Sequence, residues 1–168
     1  TQTKNSVFGK IGGTYTFNSK INVTGEVRRT FHSYRNDDRG TTKSQLDQSY
    51  YSESFSRNMR TEYFGLANYA DKFLNGDLDL RASLGGEVIQ TKYTSLNSST
   101  QGGLTIPGFY NLSGSKDAAS TSNYLSENER RGAFVTASLG YKSTLYLDSS
   151  YRIDWSSTAK ADDNRVDT

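Results

Sequence analysis

Among the side chains of this chain that could do covalent chemistry, no nucleophile-base pairing stands out from residue order. His32 is the sole histidine and there is no cysteine. A His/Cys metal cluster and a disulfide framework cannot therefore be assembled, and no nucleophile-base pairing stands out in the sequence around the one histidine. The acid runs Asp37-Asp38 and Asp162-Asp163-Asn164 do not reproduce a calcium loop and read as solvated loop acids. Gly12-Gly13, Gly85-Gly86 and Gly102-Gly103 lack the frame of a phosphate loop, and the first two fall inside strand-like runs, where Gly marks a bend. Asn22, Asn97 and Asn111 begin Asn-x-Ser/Thr sequons, but Asn22 lies within a strand pattern. No enzyme, metal or cofactor is expected. What remains are charges at every second position, Asp79, Arg81 and Glu87 in one run and Asp148, Arg152 and Asp154 in another, which mark a wet face.

The elements that carry those charges are strands. Hydrophobic residues make up 33% of 168 and mean hydropathy is −0.76, values that would suit a partly disordered chain. Disorder, however, goes with few aromatics and much proline, and here there are 12 Tyr, 8 Phe, 15 Gly and one Pro. A net charge of +2 without a basic stripe argues against nucleic acid. No run of 18 apolar residues exists, which excludes a spanning helix. It does not exclude spanning strands, whose alternation averages out as polar.

That alternation is the strongest signal. Val7, Gly9, Ile11, Gly13, Tyr15 and Phe17 oppose Phe8, Lys10, Gly12, Thr14 and Thr16. After Asn18-Ser19-Lys20, Ile21, Val23, Gly25, Val27 and Phe31 oppose Asn22, Thr24, Glu26, Arg28, Thr30 and His32. A third strand runs from Met59 to Tyr69, the least regular, since Phe64 and Leu66 occupy its polar side. A short connection over Asp71–Gly76 leads to the clearest strand: Leu78, Leu80, Ala82, Leu84, Gly86 and Val88 alternate with Asp77 to Glu87. Strand five sets Ala133, Val135, Ala137, Leu139 and Tyr141 on one face; strand six sets Leu145, Leu147, Ser149, Tyr151, Ile153 and Trp155. The period of two identifies strands and not helices. Polar stretches over Ser33 to about Arg57 and Thr94 to Glu129, and the tail from Ser156, read as loops and an unpatterned end.

Connections thus alternate short and long, the asymmetry of an outer-membrane barrel with tight periplasmic turns and extended outer loops. Leu78, Leu80, Leu84, Val88, Val135, Leu139 and Leu147 are expected to face lipid. Phe17, Tyr69 and Tyr141 beside the short turns, with Trp155 at the other end, are expected to form interfacial girdles. A soluble sandwich also alternates, but its faces favour bulky aliphatics over this mixture of Gly, Ala and Tyr, and its loops are shorter. About six strands cannot close alone in lipid. The expected fold is therefore an all-β antiparallel transmembrane segment of residues 1–168, completed by strands outside it.

The later half carries a resemblance. Gly103-Leu104-Thr105-Ile106-Pro107-Gly108-Phe109-Tyr110-Asn111-Leu112, the strand-turn-strand from Arg131 to Asp148, and Arg152-Ile153-Asp154-Trp155-Ser156-Ser157-Thr158 resemble phrases of SusC/RagA-family TonB-dependent transporters, at matching spacing. The resemblance covers roughly Asn75 to Thr158; the first half agrees in strand pattern only. It implies a barrel of about 22 strands in the outer membrane of a Bacteroidota-type bacterium, importing glycan or peptide oligomers. Its partners would be membrane lipid, the remaining strands and plug of the same transporter, a SusD-like surface lipoprotein and TonB acting through the plug. The plug region has no counterpart here. Phe109 and Tyr110 in an outer loop, and the inward-pointing Arg152 and Asp154, are then the candidate substrate contacts, against the plainer roles of loop packing and lumen electrostatics. Trp155 reads as an anchor, with sugar stacking the alternative. A small complete barrel acting as anchor or adhesin, and a secreted carbohydrate-binding β-domain, are the competing readings.

Overall fold

The computed structural model describes residues 1–41, 49–157 and 165–167. Seven strands form one sheet in sequential order, β1 (Gln2–Thr16), β2 (Ile21–Thr41), β3 (Ser49–Phe73), β4 (Leu78–Leu104), β5 (Ser115–Tyr141), β6 (Leu145–Ser156) and β7 (Arg165–Asp167). Two short 3-10 turns, Leu74–Gly76 and Leu112–Gly114, complete the described elements. The six long antiparallel strands are those the alternation predicts; β7 is an addition, pairing Asp167, Val166 and Arg165 with Ile153, Asp154 and Trp155.

Several strands are longer than the sequence suggests. Of the stretch expected as a loop from Ser33 to Arg57, residues 33–41 are the far part of β2 and residues 49–57 the near part of β3, and the Asp38-Arg39-Gly40 run is strand; residues 42–48 lie outside the described residues. The second expected loop shrinks to residues 105–114 between β4 and β5. The third strand extends from Met59–Tyr69 to Ser49–Phe73, leaving Leu74–Gly76 as its turn. The reason is physical: where neither face of a strand carries an apolar row, the alternation vanishes although backbone pairing continues. Thr158 and Asp162-Asp163-Asn164 lie outside the described residues.

Chain contacts divide the protein into two compact units, one of Thr1–Val7, Thr30–Met59 and Lys92–Glu127, the other of Phe8–Arg29, Arg60–Thr91 and Asn128–Thr168. In the second unit the register of β5 on β6 sorts side chains cleanly. Ala133 faces Ile153, Val135 faces Tyr151, Leu139 faces Leu147 and Tyr141 faces Leu145, all on one side. Gly132 with Asp154, Phe134 with Arg152, Ser138 with Asp148 and Gly140 with Tyr146 fall on the other, as period-two geometry requires. Hydrogen bonds extend the polar side across the unit: Thr14 to Thr24 at 2.8 Å, Asn68 to Asn22 at 2.9 Å, and Ser83 to Asn68 at 2.7 Å.

The apolar side is the exposed one. Ile11 is 75% exposed, Leu84 63%, Leu145 67% and Leu147 65%, whereas Asn22, Thr24, Glu26 and Arg28 on the polar side of β2 are half-buried. Only Ile89 and Leu104 are buried hydrophobics among the described residues. Leaving four such side chains in water forgoes about 1.5–3 kcal/mol each. That total is comparable to the whole net stability of an ordinary domain, about 5–15 kcal/mol.

Short turns hold the hairpins of this unit. Asn18 Oδ1 accepts from the backbone N–H groups of Lys20 and Ile21 at 2.8 and 2.9 Å. At the β5–β6 turn Lys142 and Ser143 have φ of 48° and 53°, and Thr144 N–H donates to Tyr141 O at 3.0 Å. Two central residues at positive φ define the primed turn that suits strand twist, which Asn-Gly fills best. Glycines on the polar side make room for neighbours: a Cβ on Gly85 would come within 2.3 Å of Phe134 Cζ, while one on Gly65 meets nothing within 4 Å.

Two outcomes follow, both read from the urea midpoint of the intact source protein in detergent. Lys142→Asn with Ser143→Gly raises stability by about 1–2 kcal/mol, the left-handed strain removed. Gly85→Ala lowers it by roughly 1–3 kcal/mol through overpacking against Phe134, while Gly65→Ala changes it little.

Candidate functional site

Opposite charges two residues apart recur on strand after strand, and each such pair shares a face. In the second unit Lys10 meets Glu26 at 2.6 Å, and Glu26 also pairs with Arg28. Arg28 reaches Glu62 at 3.6 Å and Arg60 meets Glu62 at 2.5 Å. This five-member ladder crosses β1, β2 and β3. Its carboxylates are well covered, and every member has an opposite charge, as a partly desolvated charge requires.

The densest group centres on Arg152. Its Nη2 donates to Glu87 Oε1 at 2.5 Å, and its Nε and Nη2 donate to the two oxygens of Asp154, each at 2.7 Å. The fork geometry is the bidentate arrangement guanidinium and carboxylate favour. Gly132, opposite Asp154 in the register, leaves space that a Cβ would fill, 2.6 Å from Arg152 Nη2. The guanidinium lies 6.0 Å from the Phe134 ring centroid, and Phe134 stacks on Phe64 at 6.4 Å. Phe64 on the polar side, irregular in the sequence, is thus one half of an aromatic pair over Gly85. Glu87, Ile89, Gly132, Arg152 and Asp154 line a hollow of about 320 Å³.

Two carboxylates occupy the single guanidinium, so this cluster is not a free anion receptor. Arg130 and Arg131 line the same hollow, so cationic and anionic groups stand there together. No nucleophile and base converge there. Among the described residues no group of three metal-ligating side chains occurs. Sequence reasoning placed Glu87, Arg152 and Asp154 on the wet side without pairing Glu87 with Arg152; the tight Lys142-Ser143 turn and the alternation of β4 were the available signals.

At the turn end, Tyr69 donates its hydroxyl to Asp71 at 3.0 Å and Lys20 Nζ contacts the same carboxylate at 2.7 Å. The Lys20 hydrogen bond holds Asp71 below its ordinary carboxylate range. Its contribution to stability is therefore present above the unfolded carboxylate range and is lost as pH falls through the lowered folded value. Phe17 packs edge-on against Tyr15 at 4.7 Å. Tyr141 has Lys142 Nζ 5.4 Å from its ring. Trp155 faces Arg131 across the register and lines a groove of about 470 Å³ with Glu129, Arg131, Ser156 and Ser157. Tyr69, Tyr141 and Trp155 thus each have a charged residue at hand, whereas Phe17 has a second aromatic ring. Leu78, Leu80, Leu84 and Val88 alternate with Asp79, Gly85 and Glu87, which abut Gly140, Phe134 and Arg152.

Phe109 and Tyr110 belong to the first unit, and Arg152 and Asp154 to the second. Phe109 N–H donates to Ile106 O at 3.1 Å, and Gly108 has φ of 84°, the type II turn that Pro-Gly favours. Phe109 is exposed, and Tyr110 lies beneath the Arg39 guanidinium at 5.5 Å. Elsewhere in that unit Arg35 pairs with Asp37 at 3.2 Å and Glu53 at 3.4 Å. The Asp37 hydrogen bond raises the Arg35 pKa further. Burial first, then Asp37 and Glu53, push the Tyr51 phenol up.

No protein-family model and no curated protein matches the chain. Solved structures do. The RagAB peptide transporter matches with a TM-score of 0.84 at 17% identity, over 99% of this chain and 19% of that one. The RagAB peptide importer in its open-open and closed-closed states matches with TM-scores of 0.83 and 0.82, at the same identity and coverage. The chain therefore spans about one-fifth of the length of these neighbours, and its fold is that of a segment of their transporter barrel.

Proposed function

We propose that the chain is a stretch of barrel wall from a TonB-dependent importer of the bacterial outer membrane, acting on glycan or peptide oligomers, and that it performs no catalysis. The observation that carries this reading is the two-faced single sheet, apolar side chains exposed on one side and paired charges on the other. From Leu78 to Val88 the apolar row covers ten steps of about 3.4 Å. At a tilt near 45° that gives roughly 24 Å of height, the apolar band of a spanning barrel. Strands of 25 and 27 residues exceed the roughly 9–11 needed to cross, so part of each stands in water.

The sheet edges support a larger cylinder. Within the described sheet β1 pairs only with β2, and β7 covers only Ile153–Trp155 of β6. In lipid each open backbone group costs several kcal/mol, so further strands must flank β1 and the Leu145–Arg152 stretch. We place the turns at residues 17–20, 74–77 and 142–144 on the periplasmic side, with Phe17, Tyr69 and Tyr141 as one girdle and Trp155 in the other. Leu78, Leu80, Leu84, Val88, Val135, Leu139 and Leu147 meet lipid. Arg152 and Asp154 belong to the lumen, and Phe109 and Tyr110 to an outer connection in reach of substrate. The remaining strands, a plug, TonB and a SusD-like lipoprotein complete the machine.

The test is uptake. Cells lacking the source protein, or with the proton gradient collapsed, should lose import of a labelled oligomer that wild-type cells accumulate, and the purified protein should be several times longer than 168 residues. Import unchanged by both treatments, or recovery of the protein from the aqueous fraction without detergent, contradicts the reading.

A further inference from the structure

At the end remote from the short turns, the aliphatic side of the second unit gives way to polar groups. On that side Val88 of β4 is followed by Gln90, Ala133 of β5 by Arg131 and then Glu129, and Ile153 of β6 by Trp155. From Tyr141 to Arg131 is ten steps along β5, the same height of roughly 24 Å that Leu78 to Val88 covers. Arg131 donates through Nε and Nη2 to one oxygen of Glu129, each at 2.6 Å, and Gln90 donates to the other at 2.8 Å. Ser157 N–H donates to Glu129 O, and Glu129 N–H donates to Ser157 Oγ, both at 2.9 Å. These bonds join β5 to the end of β6 beneath the groove of about 470 Å³ that Glu129, Arg131 and Trp155 line. The Arg131 side chain is 66% exposed there. Its guanidinium has more N–H groups than Glu129 engages, and the carboxylate has more lone pairs than Arg131 and Gln90 engage.

We infer that this groove seats the phosphoethanolamine group of a membrane lipid, its phosphate on Arg131 and its ammonium on Glu129, with Trp155 alongside at headgroup level. The order of the charges carries the inference. Glu129 lies two residues beyond Arg131 on β5, roughly 5 Å farther from the apolar row at the strand tilt. In such a lipid the phosphate lies next to the acyl-bearing part, and the ammonium stands beyond it on a short carbon spacer. Cation and anion on the wall therefore meet anion and cation on the lipid in the same sequence. A guanidinium suits phosphate oxygens, and a carboxylate accepts the ammonium N–H groups. A phosphate without an amine would set its charge beside the Glu129 carboxylate with nothing to offset it. A trimethylated amine has no N–H to give that carboxylate.

The inference rests on the importer reading for its membrane, and lipid binding tests it separately. The intact source protein, released from detergent in a native mass spectrometer, would be titrated with dilauroyl phospholipids bearing ethanolamine, choline or glycerol headgroups, and with lipid A. The ethanolamine lipid should bind tightest. Glu129→Arg with Arg131→Glu keeps the ion pair but reverses its direction. It should weaken the ethanolamine lipid about tenfold or more, through the charged hydrogen bonds lost. Where that exchange prevents folding, Glu129→Gln serves, and should bring the ethanolamine lipid level with the choline lipid. Arg81→Gln, on the charged side of β4, should leave the order of lipids unchanged. Equal binding of the choline lipid, tighter binding of the glycerol lipid or lipid A, or an ethanolamine lead that survives these Glu129 substitutions overturns the inference. So does an exchange that alters the number of protein copies and not the bound lipid, which would make the groove a contact between copies. If import depends on the protein but no headgroup is selected, this inference fails alone. If the ethanolamine lipid is selected but import does not depend on the protein, the importer reading fails alone.

Discussion

Everything in this sheet depends on one constraint: a β-strand sends successive side chains to opposite faces, and here those faces demand different solvents. In the second unit leucine, valine, isoleucine and tyrosine occupy the exposed side, while the charged side is half-covered and internally matched. A water-soluble sheet would invert this, hiding the aliphatic row and wetting the charges. With all seven strands in one sheet, no second layer among the described residues covers the aliphatic row. On the importer reading proposed above, a hydrocarbon surrounding would cover it and leave the paired charges to an aqueous interior.

The polar side is organised by exchange of volume as well as charge. Gly85, Gly132 and Gly140 stand where the side chains of Phe134, Arg152 with Asp154, and Tyr146 cross from the neighbouring strand. Filling a glycine's space with an aromatic ring or a guanidinium keeps a flat polar face packed, a device by which glycine-bearing sheets recover the contacts glycine forgoes. The same arrangement holds Arg152 between Glu87 and Asp154.

How much was legible follows from the same constraint. Wherever one face is apolar, as in Leu78–Val88, Ala133–Tyr141 and Leu145–Trp155, the strand, its register and its sidedness can be read from residue order, and the β5–β6 pairing agrees residue by residue. Where both faces are polar, as in Ser33–Thr41, Ser49–Asn58 and Thr94–Leu104, the period disappears and strands pass for loops. The clue there was subtler: Arg35 and Asp37, like Glu26 and Arg28, stand two apart with opposite sign, a strand-period pairing that loops have no reason to keep. Contacts between distant strands, such as Arg152 with Glu87 or Phe64 with Phe134, needed the assembled sheet.

The most direct test of the two-solvent account is a nitroxide scan in lipid vesicles. Single cysteines, introduced one at a time from Leu78 to Val88 and from Val135 to Leu139 of the intact protein, would be spin-labelled and their collision rates with oxygen and with a water-soluble nickel chelate compared. Oxygen should dominate at Leu78, Leu80, Leu84, Val88, Val135 and Leu139, and nickel at Asp79, Arg81, Glu87 and Ser138, with a period of two. Uniform nickel access along both runs, or oxygen maxima on the charged positions, would contradict it.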